Sequence, residues 1–169
     1  EGKSVKLFLV DGKPGGLMTA EIINWTGSVV AANRSDLKEL LARPEVSQQT
    51  GVYFLLGDDP EDGAELAYIG ESDNVSDRLK QHAKSESSNG KGGKDFWTRA
   101  VVLTSKDSNI TKAHVRYLEA RLIQLAQQAK RARLTNDTAP DLSTSLPESD
   151  RSDMEYYIEQ AMIVLPVLG

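Results

Sequence analysis

The sequence is organised around residues 51–82, which read GVYFLLGDDPEDGAELAYIGESDNVSDRLKQH. The triplets Gly51-Val52-Tyr53 and Tyr68-Ile69-Gly70 each carry β-branched and aromatic residues bounded by Gly and acidic turn residues. This composition is typical of short strands. We therefore predict that the two triplets form an antiparallel hairpin with a turn over residues 57–65.

A helix is predicted directly after the second strand. Residues 72–74 (Ser-Asp-Asn) supply side chains that cap a helix N-terminus. Apolar residues then recur at one-turn spacing on one face, namely Val75, Leu79 and Ala83. Arg78 and His82 lie one turn apart beside this face. The pattern predicts that a guanidinium and an imidazole point the same way.

A third strand and a long helix follow. Residues 96–105 (FWTRAVVLTS) read as the strand, in which we expect Trp97 to pack in the core or at its rim rather than stack on a base. Residues 109–131 read as the longest helix, with an apolar stripe at Val115, Leu118, Leu122, Leu125 and Ala129. Glu119 falls at the edge of that stripe, where a carboxylate can enter the lip of a cleft.

Five features in this order resemble the GIY-YIG nuclease superfamily: GVY, YIG, ESDNVSDRLKQH, the helix segment YLEARLI with its embedded glutamate, and RLTN. Each triplet alone arises often in strands, whereas five elements in one order form a specific pattern. The resemblance covers roughly half of the chain, residues 51–136. It implies an α/β fold with a small central antiparallel sheet flanked by helices, and nuclease activity.

The resemblance also implies the catalytic residues. Tyr53 and Tyr68 match the two motif tyrosines, one of which is thought to orient or deprotonate the attacking water. We assign the role of general base to Tyr53. His82 is its assistant or its rival, because an imidazole is better tuned for proton transfer near neutrality than a phenol. Arg78 is assigned to the phosphate and Glu119 to a metal ion.

Further residues are candidates for substrate binding. By resemblance, Asn136 in RLTN braces the site, and Gly70 permits close approach of strand and substrate. Lysines that could follow a nucleic-acid backbone are Lys80, Lys91 and Lys94. The last two lie in residues 85–94 (SESSNGKGGK), for which a flexible arm over the substrate and a disordered connector are equally consistent interpretations.

Composition limits the metal chemistry. The chain has no cysteine, which excludes disulfide scaffolds, thiolate zinc sites and cysteine nucleophiles. It has two histidines, His82 and His114, which argues against a multi-histidine metal site. Any metal is therefore expected to be held mostly by oxygen ligands, which favours Mg²⁺ or Mn²⁺.

Charge is distributed unevenly along the chain. The net charge is −5, yet residues 78–133 carry 13 Lys and Arg against four acids, so this part is +9 and the rest is −14. The pattern favours a basic, polyanion-binding surface, with a solvated lysine-bearing face as the alternative. Residues 57–65 hold five acids and no base. They are interpreted as a solvated loop, an insertion that steers away from DNA, or a cation site.

Two segments flank the motif region. Residues 5–44 are predicted to form strands over 5–10, 17–25 and 28–32 and a helix that Ser35 caps and that ends before Pro44. Residues 137–153 have a linker composition, and residues 154–165 read as an amphipathic helix that Pro166 stops. That helix either packs on the core or begins a further C-terminal domain. The predicted domains are 1–48, 49–137 and 138–169.

We predict a cytoplasmic, Mg²⁺- or Mn²⁺-dependent endonuclease that hydrolyses DNA. No stretch approaches the ~18 apolar residues of a membrane span, so no membrane partner is expected. The chain begins with Glu1 rather than Met, which leaves a leader open. A homodimer on the substrate is one route to double-strand cleavage. Two alternatives remain: a non-catalytic module on the same scaffold that binds nucleic acid or protein, and a structural domain whose appendages recruit partners.

Overall fold

The computed structural model describes residues 2–84, 94–107, 109–136 and 146–168. Within these ranges the chain forms seven strands and four α-helices. In chain order they are β1 (Val5–Leu9), β2 (Met18–Ile22), β3 (Gly27–Asn33), α1 (Leu37–Ala42), β4 (Gly51–Asp58), β5 (Glu65–Ser72), α2 (Val75–His82), β6 (Trp97–Ser105), α3 (Lys112–Ala129), β7 (Arg133–Leu134) and α4 (Glu148–Leu168).

The described strands form one sheet in the order β1-β2-β3-β6-β4-β5-β7. The predicted hairpin is confirmed, since β4 and β5 pair antiparallel from Gly51 opposite Ser72 to Asp58 opposite Glu65. Only β7 pairs parallel, with β5. The α/β fold class is thus confirmed. The sheet is wider than the motif region predicts because the N-terminal strands join it through the pairing of β3 with β6.

The N-terminal elements agree with the sequence pattern except at one cap. The three predicted strands are present, and the predicted helix is α1. Ser35 does not cap it, because a 3-10 turn covers residues 34–36 and makes Asp36 the residue that precedes α1. No side chain caps this helix. Its short length is compensated by Leu40, which is fully buried against the sheet.

Helices cover both faces of the sheet. Alternate residues of β3 illustrate the division: Val29 and Ala31 pack in a core with α3 and α4, whereas Val30 and Ala32 pack in a second core with α1 and α2. This follows from the two-residue side-chain period of a strand. Strands buried on both faces explain why β3 reads as a continuous apolar run.

The C-terminal helix is longer than predicted. It begins at Glu148, inside the predicted linker, and it continues past Pro166. Acidic residues in its first turn suit the positive end of the helix dipole, and a proline in the last turn removes few backbone hydrogen bonds. The helix packs on the core, where the Tyr157 hydroxyl donates to the Thr104 carbonyl at 2.7 Å. Residues 137–145 of the predicted linker lie outside the described residues.

Across the described ranges, no helix combines the length and the apolar character that crossing a membrane requires.

Candidate active site

Three rings from separate elements meet at one end of the β4–β5 hairpin. Tyr53 lies on β4, Tyr68 on β5, and His82 is the last residue of α2. Ring centroids are 6.3 Å apart for the two tyrosines and 5.4 and 5.3 Å apart from each tyrosine to His82. The Tyr53 hydroxyl lies 2.7 Å from His82 Nε2, and both residues are fully buried. The structure therefore brings together three residues that the sequence analysis assigned to the site, and their catalytic roles stay predictions.

Gly70 makes room for this arrangement. It lies opposite Tyr53 in the ladder, and a Cβ atom at position 70 would fall within 3.0 Å of the Tyr53 ring and hydroxyl. The space that a glycine leaves is therefore filled by the Tyr53 phenol. The predicted contact of Gly70 with substrate stays a prediction.

Burial makes both phenols hard to ionise. It raises the pKa of Tyr53 far above its usual range, and it raises the pKa of Tyr68 as well. The positive charge of Arg78 and its hydrogen bonds to the two hydroxyls oppose the rise. Tyr68 is half-buried whereas Tyr53 is fully buried, so Tyr68 is the tyrosine that solvent can reach.

Helix α2 fixes the positions of Arg78 and His82. The Asn74 side chain caps it by accepting from the Asp77 backbone N–H at 3.2 Å, which confirms the predicted cap. Arg78 Nη1 donates to the Gln81 side chain at 2.5 Å, so the guanidinium is tethered to its own helix. At the other end, Trp97 Nε1 donates to the His82 carbonyl at 3.1 Å. Trp97 is buried, which confirms its prediction as a core residue.

Glu119 reaches the site from α3, on the opposite side of the sheet. The Glu71 backbone N–H, at the free edge of β5, donates a hydrogen bond to its carboxylate. Burial raises the pKa of Glu119 to about 7, and the negative charge of Glu71 adds to the rise. The charge of Glu119 also acts on Tyr53 and Tyr68. The tyrosines on one side of the sheet and the carboxylate on the other therefore meet at the edge of β5.

Two charged residues next to Glu119 were not predicted. The Lys112 ammonium lies 2.7 Å from a Glu71 carboxylate oxygen, and the positive charge of Lys112 also acts on Glu119. Glu71 directly follows the YIG triplet, and Lys112 precedes Glu119 by two helical turns, a spacing that places both on one face. That spacing is the signal by which the sequence could have revealed Lys112.

Asn136 joins the free edge of β5. Its amide donates to the Ile69 carbonyl at 2.7 Å and its oxygen accepts from the Ile69 N–H at 3.1 Å. It thereby continues the pairing of β7 with β5, two residues before Glu71, whose backbone N–H acts on Glu119. This geometry fits the bracing role that the resemblance implies.

Of the three candidate substrate-binding lysines, one lies next to the site in the structure. Lys94 Nζ lies 4.3 Å from the centroid of the Tyr68 ring, at the mouth of the site. Lys80 is exposed on α2, and Lys91 lies outside the described residues.

The acidic turn of residues 57–65 contacts Arg133 of β7, which forms an ion pair with Asp59 and lies 3.5 Å from Asp62. The turn therefore has its own counter-ion.

Arg121, which follows Glu119 on α3, forms an ion pair with Glu155 at 2.8 Å. Within the described ranges, no three His, Asp or Glu side chains cluster as a metal cage. The donor chemistry nevertheless suits a hard cation, because two carboxylates, Glu71 and Glu119, share one lysine. Mg²⁺ is commonly held by one or two carboxylates with substrate phosphates and waters as the other ligands.

One of three comparisons with known proteins gives a match. The family model of the GIY-YIG catalytic domain matches residues 49–132. This range does not include Asn136, but it contains the other predicted site residues, namely Tyr53, Tyr68, Gly70, Arg78, Lys80, His82, Lys91, Lys94 and Glu119. Comparisons with curated proteins and with solved structures give no significant match. The domain family implies nuclease activity in general. Residues 49–132 thus carry the catalytic domain of the GIY-YIG superfamily.

Proposed function

We propose that the protein is a divalent-metal-dependent endonuclease that hydrolyses phosphodiester bonds of DNA. The observation that carries the proposal is the meeting of a tyrosine–histidine pair, a tethered arginine and a half-buried carboxylate at the edge of β5. Phosphodiester hydrolysis needs a group that accepts a proton from the attacking water and cationic groups that stabilise the negative charge on the phosphoryl oxygens. These residues supply the first and part of the second.

The proton acceptor is a relay in this proposal. Tyr68 is the accessible phenol, and its ring centroid lies 6.3 Å from that of Tyr53, whose hydroxyl lies 2.7 Å from His82 Nε2. Water bound at Tyr68 would pass its proton along this chain to the imidazole, whose ordinary pKa is near neutrality. The assignment of the base to Tyr53 stays a prediction, with Tyr68 now the residue proposed to touch the water.

Charge neutralisation comes from two directions. Arg78 would bind the non-bridging oxygens of the phosphate that is cleaved, because a guanidinium matches phosphate geometry. Glu119, with Glu71 beside it, would hold Mg²⁺ or Mn²⁺, which when bound supplies Lewis-acid stabilisation. As the water oxygen bonds to phosphorus, the bond from phosphorus to the 3′-oxygen breaks, and that oxygen takes a proton from solvent.

Basic residues around the site support a nucleic-acid substrate. Lys94 lies over Tyr68 on one side of the site. On the other side, Lys112 and Arg116 lie close enough for their charges to act on Glu119. A phosphate backbone that crosses between them would meet cations on both sides, and such contacts make affinity depend on salt.

Cleavage of plasmid, branched and single-stranded DNA tests the proposal, with Mg²⁺ or Mn²⁺ against EDTA. Glu119→Gln and Arg78→Ala are expected to lower the rate by at least about 100-fold, a loss typical of one electrostatic group. Glu159→Gln, an exposed acid on α4, is the matched control and should cleave as the wild type does. If the wild type cleaves none of these substrates with either metal, and it binds DNA with an affinity that Glu119→Gln leaves unchanged, the protein is a binding module instead.

A further inference from the structure

Arg34, in the N-terminal segment, reaches across the molecule to the end of α2. Its Nη2 donates to the Ala83 carbonyl at 2.7 Å, and its Nη1 donates to the carbonyls of Lys94 at 3.0 Å and Trp97 at 3.2 Å. Its guanidinium also stacks on the Trp97 ring at 4.3 Å. One side chain therefore joins the segment that leaves α2 to the segment that enters β6.

These contacts surround His82. Ala83 follows it and caps the C-terminus of α2. The His82 carbonyl itself accepts from Trp97 Nε1 at 3.1 Å and from the Lys94 backbone N–H at 3.1 Å. Arg34 thus binds the residue that follows His82, Ala83, and the two residues that donate to the His82 carbonyl, Lys94 and Trp97. A shift of this turn would move the imidazole away from the Tyr53 hydroxyl, 2.7 Å away.

We propose that Arg34 is a positioning residue of the active site, which acts on the Tyr53–His82 pair through Trp97 and the last turn of α2. The residue lies outside the segment that the family model matches, residues 49–132. The N-terminal segment therefore contributes to the site as well as to the sheet. The catalytic part of this inference rests on the proposed function, whereas its structural part does not.

The chemistry of the contact requires arginine. Four carbonyls, including that of Asp95 at 3.5 Å, are bound through a planar fork that also stacks on an indole, and a lysine ammonium cannot satisfy both demands. The carbonyls at the C-terminus of a helix also favour a cation. Because α2 has only eight residues, its last turn depends on such external contacts.

The test uses the fact that the chain has two histidines, His82 and His114. Histidine-selective ¹⁵N and ¹³C labelling then gives two ring signals, and Tyr53→Phe assigns the one from His82. His114 lies at the N-terminus of α3 and is the internal reference. Arg34→Lys is compared with Arg43→Lys, the matched control, whose arginine lies in the same segment but pairs with Glu45 at 2.9 Å.

We expect Arg34→Lys to shift or broaden the His82 signal, to leave the His114 signal in place, and to lower kcat about 10- to 100-fold with KM unchanged. Trp97→Phe, which removes the Nε1 donor, should shift the same signal. Arg43→Lys should change neither signal nor kcat. An unshifted His82 signal in Arg34→Lys, or equal shifts of both histidines, would overturn the proposal. If the wild type cleaves nothing, the proposed function fails, but the His82 signal still decides the role of Arg34.

Discussion

Gly70 and Tyr53 lie directly opposite each other in the β4–β5 ladder, and the Tyr53 ring fills the space where a side chain at position 70 would lie. The glycine of the second motif triplet and the tyrosine of the first are therefore one steric unit. The depth at which Tyr53 is buried, and hence its contact with His82, depends on the missing Cβ of Gly70.

Gly70→Ala is expected to displace Tyr53. The added methyl group would come within 3.0 Å of the ring, so the phenol or the strand must move. Overpacking of a buried site typically costs about 1–3 kcal/mol of unfolding free energy. Urea unfolding measures that cost, and the His82 ring signal reports whether the hydrogen bond to Tyr53 is lost.

A double-mutant cycle provides the control. In a Tyr53→Leu background the ring is absent, so Gly70→Ala should cost much less there than in the wild type. Equal costs in the two backgrounds would show that Tyr53 is not what restricts position 70.

Lys94 and Lys80 should differ in what they contribute to DNA binding and cleavage. Lys94 lies over the Tyr68 ring, whereas Lys80 is exposed on α2. Lys94→Ala is expected to lower kcat and to reduce the slope of log affinity against log salt by about 0.9, the contribution of one phosphate contact. Lys80→Ala should reduce the slope at most, with kcat unchanged. Cleavage rates and binding at several salt concentrations separate the two effects, and identical behaviour of the variants would contradict the assignment.

The sequence predicted the parts of the site that have local signatures. The strand triplets, the cap at Asn74 and the one-turn spacing of Arg78 and His82 each reflect short-range backbone geometry, and each is present. The edge position of Glu119 on its helix was also sufficient to predict a half-buried carboxylate. Local periodicity therefore carried most of the motif region.

The contacts that the sequence did not reveal are long-range. Arg34 is 60 residues from Lys94, and no periodicity relates the two. The pairing of β3 with β6, which brings them together, depends on strand order across the whole sheet. The start of α4 was missed for a related reason, because the contacts of Tyr157 and Glu155 with distant elements support a helix that its composition does not favour.

Lys112→Met should strengthen metal binding. The Lys112 ammonium is the resident cation of the Glu71 carboxylate, so its removal leaves two carboxylates close together without a counter-ion. The variant is expected to be less stable than the wild type without metal and to gain more thermal stability on addition of Mn²⁺. Melting temperatures over a series of Mn²⁺ concentrations measure both effects.

Arg116→Met is the matched control for charge on the same helix, because Arg116 is exposed and its charge acts more weakly on Glu119 than that of Lys112. It should show a smaller gain with Mn²⁺. If Lys112→Met gained no more than Arg116→Met, the ion pair of Lys112 with Glu71 would have no influence on the cation site.

The ion pair that ties α4 to α3 should make stability depend on pH in the acidic range. Arg121 Nε donates to Glu155 at 2.8 Å and the Tyr117 hydroxyl donates at 2.7 Å. The Arg121 hydrogen bond lowers the pKa of Glu155 below its usual value, so the folded state favours the ionised carboxyl. The resulting stability is present above the unfolded pKa of about 4.3 and is lost as the pH falls through the lower, folded pKa.

Because Glu155 is 41% exposed, Glu155→Gln should lower the unfolding free energy by only about 0.5 kcal/mol near neutrality. Urea unfolding should show a difference in unfolding free energy between Glu155→Gln and the wild type at pH 7 that disappears at pH 3. Glu159→Gln, which changes an exposed acid one turn further along α4, should match the wild type at both pH values. A difference for Glu155→Gln that is the same at both pH values would mean that the charge of Glu155 does not hold the helix.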